Sequence, residues 1–118
     1  MIKEFAFVGV PVTDLPRARK FYEEVLGLKA TADVSENNVE YDVGSGTLMI
    51  ANYGERWKPA EGGTLAAFEV DDVDQMTERV KASGATVQLE AIDSPVCRFS
   101  MVLDPDGNAL MLHKRKAS

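Results

Sequence analysis

Few residues of this chain could do chemistry. It has one histidine, His113, and one cysteine, Cys97, so a Ser-His-Asp or Cys-His arrangement could be assembled only by stretching these two across unknown distances. A single cysteine also excludes an internal disulfide framework and a thiolate metal cluster. Its simplest role is that of a small buried apolar residue. The carboxylates Glu40, Asp42 and Glu69 sit within apolar, strand-like stretches. There a carboxyl pKa rises, and the group can act as an acid or base near neutral pH. The aromatic side chains of Phe7, Tyr53 and Trp57 offer flat faces to a planar or cationic ligand.

The charge balance narrows the partners. A net charge of -6 over 118 residues argues against nucleic acid, whose binding needs clustered Lys and Arg. The one basic cluster, Lys114, Arg115 and Lys116, reads as a solvated end. The acidic surface weakly favours cationic over anionic ligands. With 45% hydrophobic residues, no long apolar run and no charged-then-apolar leader, the chain reads as a cytoplasmic protein with no membrane contact. Its length suits one domain with one core and one pocket.

The elements that must position these groups follow from periodicity. Phe5 to Val12 is an apolar, β-prone run. Asp14 stands at a helix N-cap with Pro16 in the first turn, and Ala18, Phe21, Tyr22 and Val25 form the apolar face of a helix closed by Gly27. Lys29 to Val34, Val39 to Val43 and Thr47 to Asn52 read as strands, the last two separated by the Gly44-Ser45-Gly46 turn. The order is βαβββ.

The second half repeats it at an offset of about 58 residues. Leu65 to Val70 repeats the first strand, Asp72 the cap, Val73, Met76 and Val80 the helix face, and Gly84 the helix end. Thr86 to Ala91 and Cys97 to Leu103 follow, with Phe99 matched to Tyr41 and Met101 to Val43. The turn Asp104-Pro105-Asp106-Gly107 then leads into Leu110-Met111-Leu112, which echoes Leu48-Met49-Ile50. The expected organisation is a single domain over 1–118, with repeat 1 over about 1–53, a linker over 54–63 and repeat 2 over about 64–118. Residues Tyr53 to Gly63, with Trp57, Pro59, Gly62 and Gly63, make a plausible pocket-edge loop. One such unit buries too little surface to stand alone. The copies are therefore expected to pack on each other or on those of a second chain, making a homodimer the expected assembly.

The motifs Val12-Thr13-Asp14-Leu15 with Ala18, Phe21-Tyr22, Leu26-Gly27-Leu28, Val70-Asp71-Asp72, Gly84-Ala85 and Asp104-Pro105-Asp106-Gly107-Asn108, in this order and duplicated, resemble the vicinal-oxygen-chelate superfamily. That group includes glyoxalase I, extradiol dioxygenases, fosfomycin-resistance enzymes, methylmalonyl-CoA epimerase and the bleomycin-resistance proteins. The resemblance spans nearly the whole chain. It implies an α+β fold of two βαβββ repeats forming a curved mixed sheet, with helices on the convex face and a ligand cleft on the concave one. The motifs themselves have structural duties: capping helices, taking positive φ and making the last turn.

In metal-dependent members the resemblance implies one His or Glu from each of four strands. Counting from the capping aspartates and the last turn carries those places to Phe7, Met49, Leu65 and Met111, with Ile50 or Ala51 as alternatives to Met49. None is a ligand for a hard or borderline divalent ion, so the expectation is no metal and no cofactor. His113 lies two residues past Met111 and Glu69 four past Leu65, so both should project on the same sheet face. Alternation puts Ala6, Val8, Val10, Ala66, Phe68, Val70, Leu110 and Leu112 beneath the helices. It puts Phe5, Phe7, Met49, Ala51, Leu65, Ala67, Ala109 and Met111 toward the cleft.

Three functions compete. The first is a metal-independent binding protein resembling the bleomycin-resistance branch, taking a hydrophobic or cationic small molecule on Phe5, Phe7, Met49, Tyr53, Trp57, Leu65, Glu69, Met111 and His113. The second is a lyase, dioxygenase or epimerase with an atypical site. The third is a dimeric module whose cleft is filled by its partner.

Overall fold

The computed structural model describes residues 1–60 and 62–117, and of residues 32 and 33 the backbone alone. Glu61 of the expected linker and Ser118 of repeat 2 lie outside the described residues. The chain divides into two compact units, Met1–Pro59 and Ala60–Ser118, and the division falls inside the expected linker.

In the first unit the strands are β1 (Val8–Pro11), β2 (Ala30–Val34), β3 (Asn38–Val43) and β4 (Gly46–Ala51). In the second they are β5 (Ala66–Glu69), β6 (Val87–Asp93), β7 (Cys97–Leu103) and β8 (Ala109–Arg115). Each unit makes its own four-stranded mixed sheet, in the orders β1-β4-β3-β2 and β5-β8-β7-β6. The duplicated βαβββ order is therefore present as two sheets. In each sheet the first strand runs parallel to the last and the other pairs are antiparallel.

Helix α1 (Leu15–Arg19) and helix α2 (Val73–Ala82) start on equivalent caps. Asp14 accepts the Arg17 backbone N–H and Asp72 that of Gln75, both at 3.0 Å, which satisfies one of the free donors of the first turn. The expected single helix up to Gly27 is not uniform. It widens into a π-helical stretch over Lys20–Val25, where Leu26 N–H reaches back five residues to Phe21 C=O. That stretch keeps Phe21 and Tyr22 buried against the sheet, with their rings edge to face.

Each helix is tied to its sheet by polar groups as well as by apolar packing. In the first unit the Tyr41 hydroxyl donates to Glu23 at 2.9 Å, and Arg19 holds the same carboxylate at 2.6 Å. In the second, Thr77 on α2 and Ser100 on β7 pair their buried hydroxyls at 2.8 Å. These ties identify the helix-covered faces: Val10, Leu48, Ile50, Val39 and Tyr41 in one sheet, Leu110, Leu112, Ser100 and Val102 in the other, all buried.

Several expectations are corrected. Strand β1 begins at Val8, not Phe5, because parallel pairing with β4 starts at Val8↔Leu48, and a β-prone residue without a partner strand is not held in a sheet. Phe5 is consequently 95% exposed. Ala6 and Val8, placed beneath the helix by alternation, are exposed too, since α1 covers the sheet only from Val10 onward. Leu65 and Val70 flank β5 rather than belonging to it. The match of Phe99 to Tyr41 also slips. Register pairs Glu40 with Met49 and Met101 with Met111, so Met101 is the counterpart of Glu40. An odd slip turns a side chain to the opposite face, which is why Tyr41 lies under a helix and Phe99 does not.

Candidate functional site

The sheet faces away from the helices carry the candidate site residues. In the first sheet Gly9 pairs with Met49, and Met49 with Glu40, on the face opposite Tyr41. A loop folds back over this face. Asn52 donates to Thr13 C=O at 3.3 Å and accepts the Gly54 N–H at 3.1 Å. Gly54 takes a φ of 62°, a left-handed value that side chains rarely adopt. A short 3-10 turn over Gly54–Arg56 then returns the chain so that Trp57 lies on β1.

Its resting place is Gly9. A methyl group at Gly9 would stand 2.8 Å from Trp57 Cη2 and 3.5 Å from Phe7 Cε2, so the absent side chain is what lets the indole approach the backbone. Tyr53 stacks on Trp57, ring centroids 6.4 Å apart and planes at 30°. Beside this stack is a shallow, solvent-open pocket of about 700 Å³ lined by Asn37, Asn52, Tyr53, Arg56 and Trp57. Met49 and Ala51 are buried, and Asn38 donates to the Met49 sulfur at 3.5 Å.

The second sheet presents the counterpart face. Ala67 pairs with Met111 as Gly9 pairs with Met49, and Met101 and Phe99 pair with Met111 and His113. Leu89 and Ile92 of β6 continue this apolar surface and are 38% and 44% exposed. At its edge Glu69 and His113 face each other across β5 and β8. His113 Nδ1 lies 2.5 Å from Glu69 Oε1, and the Arg115 backbone N–H donates to Oε2 at 2.7 Å. The Arg115 N–H first, then His113, hold the Glu69 carboxyl below the usual carboxylate range.

Of the expected site residues, the structure brings Phe7, Tyr53 and Trp57 together beside Met49, and separately brings Glu69, His113 and Met111 onto one face. Phe5 joins neither group, and Leu65 lies just outside β5. Sequence reasoning missed Gly9, Asn37, Asn38, Asn52 and Arg56. A signal for the first was available, since a glycine inside an apolar strand marks a close approach. Asn37, Asn38 and Asn52 are placed by the pairing of β3 with β4, whereas Arg56 is placed by the loop's return path, which leaves no periodic trace.

The positions that the family resemblance marks for metal hold two thioethers and two hydrocarbons, a donor set that does not fit a divalent cation. Among the described residues no group of three or more His, Cys, Asp or Glu side chains is arranged to hold one. Cys97 is buried, its sulfur 3.1 Å from the Ser94 hydroxyl. In the last turn Asp104 is also buried and accepts the backbone N–H groups of Asp106 and Asn108 at 2.9 Å. Its role is to hold the turn. Among the described residues no helix is long and apolar enough to cross a membrane.

Two βαβββ units, each a mixed four-stranded sheet with one covered and one open face, define the α+β glyoxalase-like fold. The chain belongs to the Glyoxalase/Bleomycin resistance protein/Dioxygenase superfamily, whose family model matches residues 4–112. Among solved structures it is similar to TnmS3, an antibiotic binding protein from Streptomyces sp. CB03234, at 26% identity, 98% coverage of both chains and a TM-score of 0.80. It also resembles a glyoxalase/bleomycin resistance protein from the same organism at 28% identity, covering 94% of this chain and all of that one, with a TM-score of 0.75. A protein of Vibrio parahaemolyticus described as "Probable lactoylglutathione lyase" is 29% identical over 123 residues, 89% of this chain and 86% of the relative.

Proposed function

We propose that this chain is a metal-independent small-molecule-binding protein of the glyoxalase/bleomycin-resistance type, acting as a homodimer and holding a hydrophobic or cationic ligand on the open faces of its sheets. The observation that carries this reading is the Tyr53–Trp57 stack walling a solvent-open pocket of about 700 Å³. Flat, rigid aromatic walls suit a planar ligand, and Phe7 and Met49 extend the apolar surface beside them within the same unit. Arg56 on the lining favours an uncharged aromatic ligand over a cationic one. The likeness to an antibiotic binding protein supports the same reading.

A second reading, a lyase, dioxygenase or epimerase with an atypical site, draws on the Vibrio relative and on the carboxylate–imidazole pair, which has the makings of an acid–base group. A third, a dimeric module without ligand, draws on the exposed apolar side chains of Leu89, Ile92 and Val96.

Trp57 is the sole tryptophan, so the test is direct. Protein purified without chelators should contain no stoichiometric metal. A panel of flat aromatic compounds should include members that quench Trp57 fluorescence saturably and raise the melting temperature, as any ligand specific for the native state must. Mn, Fe, Ni and Zn ions should do neither. Near-stoichiometric metal, or metal-induced stabilisation, would return the protein to the metal-dependent enzymes.

A further inference from the structure

Glu69 and His113 are more than two neutralising charges. An ionised carboxylate has only acceptors, so the imidazole must present its proton to Glu69 from Nδ1. In the neutral ring, Nε2 is then left with the lone pair. The Arg115 N–H fixes the other carboxylate oxygen, so the backbone of β8 orients the pair. Nε2 has no hydrogen-bond partner among the described residues. His113 is only partly buried, and no buried side-chain nitrogen or oxygen among the described residues lacks a partner. Nε2 therefore opens to solvent. Around it the floor is apolar: Met111 two residues earlier on β8, Phe99 as register partner on β7, and Ala67 two residues before Glu69.

We propose that the Glu69–His113 pair is a ligand anchor, in which His113 Nε2 accepts a hydrogen bond from the hydroxyl of a flat, uncharged aromatic molecule lying on Met111 and Phe99. The inference rests on the small-molecule reading above and names the ligand class. A carbonyl or ether brings no proton to Nε2, and a deprotonated acid has none to give. An aromatic hydroxyl supplies both the donor and the apolar face.

His113 is the sole histidine, so in tag-free 15N-labelled protein its ring nitrogens are uniquely observable. In the neutral ring the proton should sit on Nδ1, and Glu69→Leu should move it toward Nε2. A wild-type ring protonated on Nε2 would overturn the dyad. The anchor is then tested with 2-naphthol and 2-methylnaphthalene, matched in shape and differing in the donor. Wild type should prefer the naphthol, and His113→Phe should reduce that preference on the order of tenfold, the worth of one hydrogen bond. Glu69→Leu, at an exposed site, should weaken it in the same direction should the first variant fail to fold. An unchanged preference with both probes still bound would overturn the anchor and leave the small-molecule reading standing. Failure of both probes to bind would overturn both.

Discussion

The two units share an architecture and differ in what covers their open faces. Over the first sheet lies the chain's own Tyr53–Trp57 loop, which leaves Met49 8% exposed. Over the second, the described residues of its own unit supply nothing comparable. Met111, the register counterpart of Met49, is only partly buried, and Leu89 and Ile92 stand exposed. The duplication therefore supplies one scaffold twice, and the segment after β4 makes the copies unequal. It lays Trp57 over one face with a pocket at the edge of the aromatic stack, and leaves the other as an apolar floor with a carboxylate–imidazole pair.

A charge placed at the two counterpart methionines should separate these environments most strongly. Met49→Glu puts a carboxylate beneath the loop and opposite its register partner Glu40, and should cost about 3 kcal/mol or more. Met111→Glu, on the more open face, should cost well under half of that in denaturant unfolding. Its effect should appear instead in ligand uptake, or in loss of the dimer if a partner chain seals this face. Equal destabilisation would mean that the two faces are covered alike.

The next contrast uses the positions paired with those methionines. Gly9→Val collides with Trp57, whose indole already leaves no room for a methyl. It should cost about 1–3 kcal/mol and shift Trp57 emission to the red as the ring is driven into water. Ala67→Val, at the counterpart position, is exposed and should change stability by no more than about 0.5 kcal/mol. An unshifted Trp57 spectrum in Gly9→Val would show that the indole does not rest on β1.

These pairs also mark how far the sequence could be read. The duplicated βαβββ order, the aspartate caps and the last turn are legible because each depends on local periodicity or on one residue's backbone chemistry. Asp14, Asp72 and Asp104 act where their spacing puts them. The end of β1 was less legible, since Phe5 is as β-prone as Val8 and only the starting point of β4 decides which of them is paired. The slip between Phe99 and Tyr41 has the same origin, because a uniform offset ignores the different turn lengths in the two copies. Of the candidate site, Phe7 and the Glu69–His113 face could be anticipated from alternation, and Tyr53 and Trp57 from the composition of the loop that carries them. Asn37 and Asn52 meet where the β3–β4 ladder runs on past its last pair, the Asn52 N–H donating to Asn37 C=O at 2.9 Å, and only Arg56 depends on the left-handed turn at Gly54.

The smallest effect concerns how each helix is tied down. In the second unit the tie is between neutral hydroxyls, Thr77 and Ser100, which do not titrate in the working range. In the first it passes through Glu23. Arg19 above all, and also Tyr41, hold this carboxyl below its usual range, while burial, and then Glu23, push the Tyr41 hydroxyl well above its own. A lowered carboxyl pKa stabilises the fold above the unfolded-chain value, about 4.3 for Glu. That stabilisation is lost as pH falls through the lower folded value. Tyr41→Phe removes one of the two donors, so it should cost about 1 kcal/mol at neutral pH and make the loss of stability below about pH 4 shallower than in wild type. Ser100→Ala should lower stability by a similar amount at every pH, because no charge is involved. Parallel pH curves for wild type and Tyr41→Phe would mean that the Tyr41 hydroxyl does not act on Glu23, and the tie would then rest on Arg19 alone.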